Sequence, residues 1–126
     1  MSDAARARFL DHEGQRIILF DFSGITDTTA ALAAVDGAQA FMAREAVADG
    51  SNLTLTDVTQ TRYDRQIVER FKGFTAHNRP YVRAAAIVSD SSIHRAAISM
   101  LALVSKRRLT VFETRDAALR WLAVQR

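Results

Sequence analysis

Between Arg83 and Ser92 the chain reads Arg-Ala-Ala-Ala-Ile-Val-Ser-Asp-Ser-Ser, a continuous apolar run that breaks off into four small polar residues. A run with no polar residue interleaved is the pattern of a strand buried on both faces, as in a parallel sheet covered by helices. The residues that follow it, Ser89, Asp90, Ser91 and Ser92, are of the types that accept from the free amides of a helix's first turn. A buried strand leading into a capped helix predicts an α/β chain.

The flanking sequence extends that reading in both directions. Arg6 to Asp11 alternates loosely and Ile17 to Phe22 is strongly β-prone, with Glu13-Gly14-Gln15 between them, which predicts an opening antiparallel hairpin. Thr26, Asp27 and Thr28 are candidate caps for a helix from Thr28 to about Ala48, with Ala31, Val35, Ala38, Met42 and Ala46 on one face. Asn52 to Val58 predicts the next strand, with Leu53 and Leu55 in the core. Asp64 caps a second helix carrying Ile67, Phe71 and Phe74 on one side with Val68 beside them, and His77-Asn78-Arg79-Pro80 is expected to break it. A central strand at about Val82 to Val88 follows. A third helix then presents Ile93, Ala96, Ala97, Met100, Leu101 and Val104 at helical spacing. Leu109 to Phe112 is a short last strand, and Thr114 caps a final helix that buries Ala118, Trp121 and Leu122. The order predicts a mostly parallel mixed sheet of about five strands with an N-terminal antiparallel hairpin and four helices.

At 126 residues this is one domain spanning residues 1–126, large enough to bury a core without staples. The absence of cysteine excludes disulfides, thiolate metal sites and a thiol nucleophile. Met1 to Gln15 lacks the apolar core of a signal peptide, and Ile98 to Val104 is far too short to span a bilayer, so cytoplasmic residence and no membrane span are expected. The net charge of +3 is uneven. Arg95 to Arg126 holds seven Lys or Arg against Glu113 and Asp116, which makes that part +5 and the remainder −2. The triplet Lys106-Arg107-Arg108 supplies much of the excess, as a solvated helix end or as a patch for phosphate or an anionic membrane.

Five strings, Phe20-Asp-Phe-Ser-Gly24, Leu55-Thr-Asp-Val-Thr59, His77-Asn-Arg-Pro-Tyr-Val82, Ser105-Lys-Arg-Arg-Leu109 and Phe112-Glu-Thr-Arg-Asp-Ala-Ala-Leu-Arg-Trp-Leu122, resemble the SpoIIAA-like proteins of the wider STAS class. The resemblance runs over nearly the whole chain and implies the same α/β fold. Anti-sigma antagonists of that class carry a phosphorylated serine in an Asp-Ser-Ser/Thr-Gly string after the third strand. Here the comparable place runs from Asp57-Val58-Thr59 to Tyr63-Asp64, with Arg65 and Gln66 at the hydroxyl positions and Ile67 for the glycine, so the phosphoacceptor is missing. Asp90-Ser91-Ser92-Ile93 looks similar but follows the next strand. The fold also resembles carriers of the CRAL-TRIO type, which hold apolar ligands.

In an open α/β sheet, ligands gather where strands lead into helix N-termini. That places candidate ligand- or partner-binding residues at Asp57, Thr59, Tyr63 and Asp64 and at Ser89, Asp90, Ser91 and Ser92, forming one polar rim if neighbouring strands bring them together; helix capping alone explains the same residues. Ser91 and His94 are three apart on a helix, with no Gly-x-Ser-x-Gly elbow, and Asp90 with His94 lacks a third metal ligand. No phosphate-binding glycine loop is present, and the cations are not interleaved with aromatics as in nucleic-acid binders. The expected function is a non-enzymatic binding or regulatory module acting through a protein partner, as monomer or homodimer, with no cofactor, no metal and no nucleic acid. The alternative is a carrier of an apolar or lipid-like small molecule; Ala30 to Ala34 and Ala96-Ala97 either pack tightly on the sheet or leave room for such a guest.

Overall fold

A computed structural model describes residues 6–62, 64–105 and 109–125. Two strands, β1 (Ala7–His12) and β2 (Gln15–Asp21), form the opening hairpin, and helix α1 (Thr28–Glu45) leads to β3 (Asn52–Asp57). Helix α2 (Arg65–Asn78) and a 3-10 turn over Arg79–Tyr81 lead to β4 (Val82–Val88), followed by α3 (Ser92–Ser105), β5 (Leu109–Phe112) and α4 (Arg115–Ala123). The strands lie in the order β1-β2-β3-β4-β5; the first pair is antiparallel and the rest are parallel. This is the mixed five-strand sheet with four helices that the hydrophobic pattern predicts, except that β3 takes the middle place expected of the Val82–Val88 strand. Among the described residues no helix is long and apolar enough to cross a membrane.

The three parallel crossovers each step one strand in the same direction, so a common right-handed twist puts α1, α2 and α3 on one face. Ile18, Phe20 and Ile87 of the sheet, with Phe22 just past the end of β2, meet Val35, Met42, Ile67 and Phe74 there, and Ile98 of α3 packs at the margin. On the opposite face, Ile17, Leu19, Leu53, Leu55, Ala84, Ala86 and Val88 meet Ala118 and Leu122 of α4. From Ala84 to Ser89 every residue is buried, as a strand covered on both sides requires. Phe74 is the hub of the first face, its ring 5.1 Å from that of Phe20 and 5.9 Å from those of Phe22 and Phe71.

Four local expectations are corrected. Helix α1 stops at Glu45 rather than about Ala48: Ala46 is extended, and Asn52 Nδ2 donates to Val47 O at 3.0 Å, holding the exit segment away from the helix. Val68 is exposed, one step off the stripe that buries Ile67 and Phe74. Helix α2 runs through His77 and Asn78, and Arg79 itself keeps helical dihedrals, because Pro80 sits in the first positions of a 3-10 turn where its missing N–H costs nothing.

The fourth correction concerns α3. Ile93 is 78% exposed and Met100 65% exposed, and Ala96 and Ala97 between them also face solvent. The inward side instead runs through Ser91, His94, Arg95 and Ile98, all partly buried. Arg95 turns inward because it has a buried acceptor to reach: its Nη1 donates to Ser89 O at 2.7 Å. The side chains of Leu101 and Val104 and the triplet Lys106-Arg107-Arg108 lie outside the described residues.

Candidate site at the carboxyl ends of the strands

Three adjacent parallel strands end in the same kind of turn. After β2, Asp21 Oδ1 accepts from Ser23 N at 3.1 Å and Ser23 Oγ at 2.5 Å; after β3, Asp57 Oδ1 accepts from Thr59 N at 2.9 Å and Thr59 Oγ1 at 2.8 Å. After β4, Ser89 Oγ accepts from Ser91 N at 3.2 Å. An Asp or Ser side chain that bonds its own backbone two residues on mimics a tight turn. The sequence following each Asp turn then enters the left-handed region, at Gly24 (φ 74°) and at Gln60 (φ 53°). The turns are stitched together by Gly24 N donating to Thr59 O at 2.9 Å, Val58 N to Val88 O at 2.9 Å, and Gln60 N to Asp90 Oδ1 at 3.2 Å.

Asp21 and Asp57 are Cα partners in the β2–β3 ladder, so both carboxylates emerge on the α4 side of the sheet. Two anions side by side at a sheet edge need a cation. Arg115 supplies it from the first turn of α4: Nε donates to Asp57 Oδ2 at 2.6 Å and Nη2 lies 3.2 Å from Asp21 Oδ2. The helix starts there because Thr114 Oγ1 accepts from Ala117 N, which aims the Arg115 stem back at the strand ends. The Asp57 side chain is only 6% exposed and all of its described bonds are internal. Burial pushes the Asp21 carboxyl up, but the Ser23 hydroxyl and amide together with Arg115 outweigh it and hold the group below its usual range. Burial likewise works against the Arg115 charge, and the bond to Asp57 overcomes it, raising that pKa above the ordinary guanidinium value.

Among known proteins, no family model, no curated protein and no solved structure matches this chain.

The structure brings Asp57, Thr59, Ser89, Asp90 and Ser91 into one continuous rim, since β3 and β4 are neighbours. Ser91 caps α3, its Oγ accepting from His94 N at 3.2 Å, and Ser92 is the exposed first residue of that helix. Asp64 stands apart from the rim. It caps α2 through Ile67 N and accepts from Thr28 Oγ1 at 2.5 Å, linking the starts of α1 and α2; that hydroxyl and amide hold its carboxyl below the usual range. Tyr63 lies outside the described residues. Asp21, Ser23, Arg95 and Arg115 belong to the rim and were not among the expected residues; the one local signal for the first two is the repeat of Asp-x-Ser/Thr at Asp21–Ser23 and Asp57–Thr59.

Chemically, the rim offers short hydroxyls and one exposed carboxylate, Asp90, around a core in which two carboxylates, Asp21 and Asp57, share the Arg115 guanidinium. Among the described residues no group of three His, Asp or Glu side chains could hold a metal ion. Away from the rim, an open groove of about 970 Å³ runs between α1 and α2, walled by charged side chains that include Asp36, Asp64, Glu69 and Arg70, with an ion pair between Arg70 and Asp36.

Proposed function

We propose that the chain is a non-enzymatic, STAS-like binding module of SpoIIAA-like type, which docks a protein partner on the outer face of α3 beside the polar rim. The observation that carries this reading is the stripe Ile93, Ala96, Ala97 and Met100, which is apolar, contiguous along the helix and turned to solvent. Large exposed apolar side chains gathered on one helix face, bordered by polar groups such as Ser92 and Asp90, are the composition of an interface core and its rim. The carboxylates nearby are bound to Arg115 and to turn amides, which suits a rigid platform better than proton transfer.

The phosphoserine switch of the anti-sigma antagonists has no counterpart in this reading. Arg65 and Gln66 stand where the hydroxyls would, just past the cap Asp64.

A photoreactive amino acid placed at Ile93 or Met100 tests the reading in cells of the source. The same protein should be trapped from both positions, and neither a probe at exposed Lys72 on α2 nor a probe at Met100 in a chain carrying Ile93→Glu should trap it. Equal trapping from Lys72, or turnover of a small molecule that depends on Asp57 or Ser91, would sink the proposal.

A further inference from the structure

At the opposite edge of the sheet, the amino ends of β2, β3 and β4 surround a pocket of about 370 Å³. Two arginines line it, Arg16 and Arg83, together with carbon surface from Phe9 and Val47. Arg83 reaches it through an irregularity in the ladder. Asn52 pairs with Val82 and Leu53 with Ala84, so Arg83 is the extra residue of a β-bulge. Bulges re-aim side chains, and this one delivers Arg83 Nη2 to Gln125 O at 3.1 Å, while its buried Nε has no acceptor among the described residues. Arg16 lies across the Phe9 ring, its guanidinium carbon 3.7 Å from the centroid.

Neither arginine has a carboxylate partner among the described residues. The two carboxylates that line the same pocket are turned to other work. Glu45 accepts from Arg44 Nε at 2.8 Å, and Asp49 Oδ1 accepts from Ser51 N and Oγ at 3.0 and 2.5 Å. A guanidinium whose donors are not all answered is costly, and an acceptor supplied by water or by a ligand offsets that cost.

We propose that this pocket binds a small organic acid, with its carboxylate on Arg16 and Arg83 and its carbon chain against Phe9 and Val47. The planar fork of a guanidinium matches a carboxylate, and the volume falls at the low end of the roughly 300–1,000 Å³ of ligand pockets, which suits a ligand of a few carbons. The site lies across the sheet from α3's outer stripe and the rim, and it stands whether or not the partner reading does.

Amide-resolved NMR of the full chain, titrated separately with hexanoate, hexanamide and inorganic phosphate, tests it. Hexanoate should give saturable shifts at Gln15, Arg16, Asn52 and Arg83 with a millimolar or tighter dissociation constant, and neutral hexanamide should not. Arg16→Gln, a change at an exposed residue, should weaken hexanoate about tenfold, as loss of a charged hydrogen bond does. Arg83→Met should weaken it at least as much, and the Arg16 variant carries the test alone if that chain does not fold. No saturable response to hexanoate, an equal response to hexanamide, an undiminished response in Arg16→Gln, or binding of phosphate in place of hexanoate would each overturn the proposal.

Discussion

Arg115 Nε and Asp57 Oδ2 meet at 2.6 Å across 58 residues of chain, joining the first turn of the last helix to the end of the middle strand. Removing the cation leaves Asp57 buried without its counter-charge. Breaking a buried pair in this way costs about 3–5 kcal/mol. Because the Arg115 side chain is 37% exposed, solvent screening brings the expected cost of Arg115→Met down to about 2 kcal/mol. Urea denaturation in a double-mutant cycle with Asp57→Asn is the measurement: the cost of Arg115→Met should fall by more than half once Asp57 is neutral, and additive losses would mean that the two residues are not coupled.

Acid should act through the turn carboxylates. Asp21 and Asp64 both have folded pKa values below their ordinary 3.8, so each contributes stability that is fully present above 3.8 and is lost as pH falls through the lower folded value. Asn at either position removes that contribution at every pH. Melting temperatures of the natural chain and of Asp21→Asn should therefore differ by a constant amount near neutrality and converge as pH drops below 3.8, with Asp64→Asn behaving alike. A gap that stays open in acid would show that the loss comes from packing and not from charge.

The two sides of the apolar inventory should respond oppositely to truncation. Phe74, 1% exposed and ringed by three other phenylalanines, should cost about 3–5 kcal/mol as Phe74→Ala. Ile93→Ser and Met100→Ser should each change stability by no more than about 0.5 kcal/mol, because those side chains already stand in water. Equilibrium unfolding of the three variants separates them, and a large loss at Ile93 would place that side chain in the core.

Gly73 occupies the interior of α2, and a Cβ built there meets nothing within 4 Å. With no close approach to explain it, Gly73→Ala should stabilise the chain by about 1 kcal/mol, the helix-propensity difference between the two residues. A rise in melting temperature is the readout; a fall would reveal a contact made at that position.

Where information is local, the sequence was legible. The β4 span Val82–Val88 and the β5 span Leu109–Phe112 coincide with the expected ones, because two-sided burial and the caps Ser91 and Thr114 are written in adjacent residues. The direction of α3 was not legible. Its apolar residues fall on more than one side, and periodicity cannot weigh Ile93 and Met100 against an arginine that finds a carbonyl at Ser89. The rim was half legible: Asp57, Thr59 and Ser89 to Ser91 announce themselves as strand-end turn residues, whereas Arg115 joins them only because α4 folds back over β3. The bulge at Arg83 depends on the register between two strands, and no single stretch of sequence encodes register.

The unbroken order β1-β2-β3-β4-β5 also has a kinetic meaning. Each strand and helix from β1 to β5 lays itself beside the part of the chain that precedes it, so the sheet can grow outward from the hairpin as a ribosome releases it, with no strand waiting for a partner made later than its neighbour in sequence. Helix α4 breaks that rule. It must travel back from the far edge to cover β3 and β4, bring Arg115 to Asp21 and Asp57, and lead the chain to where Gln15 Nε2 reaches the carbonyls of Ala123 and Gln125 at 3.3 Å. Helix α4, made after all five strands, is thus the clasp, and until it closes, the sheet surface formed by Ile17, Leu19, Leu53, Leu55, Ala84, Ala86 and Val88 lacks its cover of Ala118 and Leu122.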